Sequence, residues 1–228
     1  MSFHLLDRPM WSALTDTHAC YAVGTGGARR YAPDVSILAG LRDDSDAALA
    51  DLAALVPDTG QIMVAQTWAT RCPGGARIVS ESVAFQMVLD GDVTTAAHDH
   101  VIVPLGEGDW PEMLALATAT KPGPFLMRTP VLGEFWGVKR DGKLIAMAGE
   151  RMRQANYAEI SGICTDPTFR GEGLGRALCV HVRDRVLARG EVPYLHAYST
   201  NETALKLYGT LGFRKRSENF VMVMENAV

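Results

Sequence analysis

Thr165-Asp166-Pro167-Thr168-Phe169-Arg170-Gly171-Glu172-Gly173-Leu174-Gly175-Arg176 joins two segments of opposite character. Before it, Tyr157 to Thr165 reads as a strand that Asp166-Pro167 stops. After it, Leu174, Ala177, Leu178, Val182 and Val186 recur at helical spacing until Arg189-Gly190 closes the helix. Glycines between a strand and a helix let another molecule approach the backbone, and the free N–H groups and dipole of a helix start attract an anion. Two familiar nucleotide loops fail. Counted from Gly171, a G-x-G-x-x-G pattern meets Arg176 at its last position, and no Lys followed by Ser or Thr follows a glycine as in a Walker loop. By spacing alone, a phosphate cradle and a tight turn that brings the helix close both fit.

On the C-terminal side, Tyr194 to Tyr198 reads as a strand. Ala204, Leu207, Tyr208 and Leu211 then mark a helix over Asn201 to Leu211, with Gly212 at its end, and Phe213 to Met224 is a final strand. On the N-terminal side lie a strand at Val101 to Pro104 and a helix from Asp109 with Pro111 in its first turn. Two strands, Trp136 to Lys139 and Leu144 to Ala148, flank the hairpin signal Arg140-Asp141-Gly142. A polar stretch from Asp90 to His100 interrupts the pattern and predicts two domains, 1–97 and 98–228. In the first, Ala19 to Val23, Val35 to Leu41, Gln61 to Gln66 and Ile78 to Leu89 read as strands. Arg71 to Gly75 reads as a turn, and a helix runs from the Arg42–Asp46 turn to near Pro57.

The 228 residues are enough to bury a real core, and 47% hydrophobic with 21% charged excludes a mainly disordered chain. A net charge of -4 argues against nucleic acid as a partner, and no apolar run is long enough to span a membrane or to act as a secretion signal. The expected compartment is the cytoplasm. Cys20, Cys72, Cys164 and Cys179 form no C-x-x-C pair and read as buried thiols, not as a disulfide or zinc framework. His98 and His100 share a strand face, but no recognised ligand spacing follows, so no metal is expected.

Arg170-x-x-Gly173-x-Gly175 after the strand Glu159 to Thr165 resembles motif A of the GNAT superfamily of acyl-CoA-dependent N-acyltransferases. Asn201-x-x-Ala204-x-x-Leu207-Tyr208-x-x-Leu211-Gly212-Phe213 resembles its motif B. The likeness spans roughly 101–228, and Gly162-Ile163-Cys164-Thr165 with Leu195-His196-Ala197-Tyr198 is most similar to the branch grouped with glycine N-acyltransferase. The resemblance implies an α/β fold: a mixed, mostly antiparallel sheet flanked by helices, with a cleft where neighbouring strands splay. It also implies acetyl-CoA as co-substrate, a small-molecule or peptide amine as acceptor, direct transfer in a ternary complex and a homodimer. The backbone N–H groups of Arg170, Gly171, Gly173, Gly175 and Arg176 would hold the pyrophosphate, with Glu172 and Leu174 in the same loop. A Glu172 carboxylate beside a pyrophosphate weakens binding unless it points away. Main-chain groups of Ile163 and Thr165, flanking Cys164, would pair with the pantetheine arm.

Asn201 and Tyr208 stand seven residues apart on one helix face, about 10 Å at ~1.5 Å per residue, so one coenzyme could touch both. Asn201 also suits a helix N-cap, and Tyr208 a core position. Under the resemblance Tyr208 is the general acid for the leaving thiolate, a task that an ordinary phenol with pKa near 10 suits. Two side chains are candidates for the base that takes the amine proton, Glu159 and His196, each of which also fits a structural role. The first half offers a second strand-turn-helix, Val35 to Leu55, so the halves can be read as a divergent repeat, the first a degenerate GNAT-like unit. Its turn, Asp43-Asp44-Ser45-Asp46, has three carboxylates and no glycine, which predicts a coenzyme site in the second half only. The alternative function is a non-catalytic acyl-CoA-binding regulatory module.

Overall fold

A computed structural model describes residues 4–91, 93 and 99–227. The boundary expected at residue 97, and His98, lie outside the described residues. In chain order the elements are α1 (Pro9–Leu14), β1 (Ala22–Val23), β2 (Ala28–Tyr31), β3 (Leu38–Leu41), α2 (Asp46–Ala53), β4 (Gln61–Gln66), β5 (Ala76–Leu89), β6 (Val103–Leu105), α3 (Trp110–Thr120), β7 (Phe135–Arg140), β8 (Lys143–Gln154), β9 (Tyr157–Thr165), α4 (Leu174–Ala188), β10 (Val192–Tyr198), α5 (Glu202–Thr210) and β11 (Phe213–Asn226). The strands form one sheet in the order β1-β2-β3-β4-β11-β5-β10-β9-β8-β7-β6. Only β3/β4 and β9/β10 pair in parallel, each across a helix, as a strand-helix-strand connection requires.

The expected mixed, mostly antiparallel sheet flanked by helices is therefore present. At the β7–β8 hairpin, Asp141 and Gly142 have φ of 52° and 78°, the left-handed pair that a tight two-residue turn needs. Three sequence expectations are corrected. Ala19–Tyr21 is a single 3-10 turn, and only Ala22–Val23 extends, pairing with β2. Neither α1 nor β2 was anticipated, because a six-residue helix and a four-residue strand are too short to show a period. Of the four thiols, all free, Cys164 and Cys179 are buried but Cys20 and Cys72 are exposed.

Two apolar layers position the site. Against one half of the sheet, Leu174, Leu178, Val182 and Val186 of α4 pack on Ile145, Ile160 and Leu195. Against the other, Met10 and Leu14 of α1 pack on Leu38, Met63 and Val221. The 14-residue strands β5 and β11 lie side by side between these layers. Among the described residues no helix is long and apolar enough to cross a membrane.

Candidate active site

The sheet opens where β9 and β10 part. Their pairing ends at Tyr194 opposite Glu159, so the β9 edge from Ile160 to Thr165 is left without a strand neighbour on that side. Pairing with β8 slips between Gly149 and Met147, opposite Ser161 and Cys164. Gly162 sits in that bulge at φ 64°, its missing Cβ leaving room for the Phe135 ring. The main-chain groups of Ile163 and Thr165 thus border an open cleft. The Cys164 side chain instead joins Met113, Leu116, Phe135 and Met147 in the core, where burial pushes its thiol up to about 11, far from a thiolate nucleophile.

At the end of β9 the glycine loop begins. Gly171 and Gly173 have φ of 89° and 80°, and nothing lies within 4 Å of where a Cβ would stand on either. Gly173 is the N-cap of α4 and brings no side chain to its free N–H groups. The first helical bond is Ala177 N–H to the Gly173 carbonyl at 3.0 Å, so the N–H groups of Leu174, Gly175 and Arg176 have no carbonyl one turn back. The start of α2 differs: Ser45 Oγ accepts from Ala48 N–H at 3.2 Å, with Asp46 in the first turn. Glu172 is turned aside, its carboxylate bound to both Nη atoms of Arg140 on β7, at 2.7 and 3.3 Å, which lowers its pKa. Arg176 Nη1 donates to Thr210 Oγ1 at 3.0 Å, while Arg170 is exposed at the loop's edge.

A cavity of about 150 Å³ continues from the cleft. Ile163, Asn201 and Tyr208 line it on one side; Met10, Leu38 and Met63 of the first half line it on the other. The structure brings Asn201 and Tyr208 to one space, and Asn201 Oδ1 also caps α5 by accepting from Ala204 N–H at 3.1 Å. Tyr208 is 8% exposed, and burial raises its phenol pKa further above ordinary tyrosine, with Cys179 adding to the effect. The ordinary phenol expected from the sequence is thereby corrected to a more firmly protonated one.

Glu159 and His196 meet across the parting strands. His196 Nδ1 lies 2.7 Å from Glu159 Oε1, and Arg151 grips both carboxylate oxygens at 2.7 and 2.9 Å. Burial opposes ionisation of Glu159, but Arg151 and His196 overcome it and hold the carboxyl down to about 2. Both oxygens of Glu159 are thus engaged, Oε2 by Arg151 and Oε1 by Arg151 and His196. Gln86 Oε1 accepts from Arg216 at 3.0 Å and its amide donates to the Leu6 carbonyl at 2.9 Å, which fixes its orientation. The same amide lies 3.1 Å from His196 Nε2, as does that of Asn219, so Nε2 carries the lone pair and Nδ1 the proton. Arg151, Gln86 and Asn219 were missed by sequence reading. Arg151 stands in the polar end of β8 between Glu150 and Arg153, so nothing in the sequence singled it out.

A parallel strand pair that parts above an uncapped, glycine-rich helix start is the arrangement that the resemblance to acyl-CoA-dependent transferases implied. Residues 136–222 match the family model described as FR47-like protein. A crystal structure from Novosphingobium aromaticivorans, described as a protein from the GNAT family, is 41% identical over 99% of this chain and 100% of its own, with a TM-score of 0.92. The chain belongs to the GNAT family of N-acetyltransferases. RimI of Mycobacterium tuberculosis, an N-alpha-acetyltransferase, is 36% identical over 35% of this chain and 51% of its own length. The mycothiol acetyltransferase of Thermomonospora curvata is 35% identical over 34% of this chain and 26% of its own. The chain thus spans about half or less of these curated relatives.

Proposed function

We propose that the protein transfers an acetyl or other short acyl group from coenzyme A to a primary amine, directly, within a ternary complex. The observation that carries this is the continuity of three features: the open glycine cradle, the unpaired β9 edge and the cavity beneath it that Tyr208 lines. Backbone N–H groups from Arg170 to Arg176 hold the pyrophosphate, and Ile163 and Thr165 pair with the pantetheine. The amine nitrogen attacks the thioester carbon, the C–S bond breaks, and Tyr208 donates its proton to the sulfur while the nitrogen gives up one. A phenol kept protonated by burial suits an acid that must hold its proton until the thiolate forms. His196 is the acceptor of the amine proton in preference to Glu159, with the Gln86 and Asn219 amides giving up Nε2 to the amine when the acceptor binds. Coenzyme binds the second half alone, because Ser45 already caps the corresponding helix start and Asp46 adds a negative charge to its first turn.

Calorimetric titration of acetyl-CoA tests the cradle, with Gly173→Asp as its control; binding is expected for the wild type and loss for the variant. Tyr208→Phe is expected to keep coenzyme affinity and to lose turnover by on the order of 10². Binding with no thiol release from any amine points to a regulatory module instead, a reading favoured by the fully engaged carboxylate of Glu159.

A further inference from the structure

Arg151 presents a second edge to the cavity. Its Nε and Nη2 bind Glu159, whereas Nη1 faces Gly123, lying 3.7 Å from where a Cβ would stand on that residue. Among the described residues no hydrogen bond engages Nη1, and the Arg151 side chain is 11% exposed and lines the cavity. The wall carries a second cation, Lys121, and no carboxylate. Such a wall disfavours a polyamine or any acceptor with a second positive charge, and a guanidinium fork is well suited to a planar carboxylate. The same cavity is lined by the side chains of Met10, Leu38 and Met63, whose apolar faces reward an aliphatic or aromatic group.

We infer that the acceptor is an apolar α-amino acid, its carboxylate docked on the free edge of Arg151 and its side chain laid against the first-half wall. This deepens the acyltransfer reading and rests on it. The chemistry balances as before: the neutral α-amine forms the N–C bond, coenzyme A leaves as the thiol, and the proton shed by nitrogen matches the one that sulfur gains.

The test compares leucine, methionine and phenylalanine with their carboxamides and with the matching amines that lack the carboxyl group, by thiol release from acetyl-CoA. At least one amino acid is expected to be acetylated with kcat/KM ten-fold or more above its amide and amine. Arg151→Gln is expected to erase that preference, mainly through KM, while acetyl-CoA still binds. If that variant does not fold, the matched compounds on the wild type decide alone. Equal or better use of the amides or amines overturns the proposal and leaves acyltransfer standing, as does coenzyme binding without acetylation of any of the three amino acids. Absence of acetyl-CoA binding by the folded protein instead removes the underlying reading.

Discussion

Glu159 lies between a guanidinium and an imidazole, with its side chain fully out of solvent. A carboxyl held near 2, against the ordinary 4.5, contributes stability that is fully present above pH 4.5 and is lost as pH falls toward 2. Glu159→Gln removes that contribution and leaves Arg151 buried without its counter-charge, a loss of about 3–5 kcal/mol at neutral pH. Urea unfolding at pH 7, 4.5 and 3 is expected to show a wide gap between wild type and variant at pH 7 that narrows at pH 3. A gap independent of pH would mean that the variant acts through packing and not through the charge. Glu159 and His196 were both singled out by their strand positions, but their bond to each other and the grip of Arg151 were not, because β9 and β10 part beyond Tyr194 and Arg151 falls in a register slip of β8 against β9, between Glu150 and Arg153. A pattern of alternating faces cannot locate such slips.

Elements explain why two similar strand-turn-helix units differ in chemistry. The start of α4 is bare main chain at Gly173, whereas that of α2 is capped by Ser45 and carries Asp46. That contrast was legible in the sequence, since it depends on residue type at a turn. What was hidden is the fate of Glu172: its partner Arg140 arrives from the β7–β8 hairpin, 32 residues earlier. Arg140 also lies over the Phe169 ring at 4.8 Å, so it is held beside the loop. Arg140→Ala frees the carboxylate next to the phosphates and is expected to weaken acetyl-CoA binding by about three- to ten-fold, more at low salt. Adding Glu172→Gln is expected to restore most of that affinity. Calorimetry at two salt concentrations checks both, and an Arg140→Ala effect that persists in the double variant would show that the arginine itself contacts the coenzyme.

At the scale of the molecule, the two halves exchange strands. β4 has β11 as its neighbour, not β5, and β10 has β5, not β11. The register of β10 against β5, Tyr194 to Tyr198 opposite Val88 to Ala84, supports the floor beneath His196 from the first half, and Gln86 of β5 holds the imidazole. Nothing local in the sequence shows this, because the pairs of β5 and β11 join residues more than a hundred positions apart, and such pairing depends on the whole chain. The strands themselves were readable; their neighbours were not. Each half alone then has an incomplete sheet. Residues 98–228 without β5 expose the facing edges of β10 and β11, and unpaired apolar edges of that length aggregate. The segment 98–228 produced alone is therefore expected to be insoluble, or to unfold without cooperativity and leave acetyl-CoA unbound, although it contains the entire glycine cradle. Co-production with 1–97 as a separate chain is expected to yield a soluble complex that binds acetyl-CoA with the affinity of the full chain. A cooperative thermal transition and full coenzyme affinity in 98–228 alone would show that the exchanged strand is an accessory, and that the second half is a self-sufficient domain.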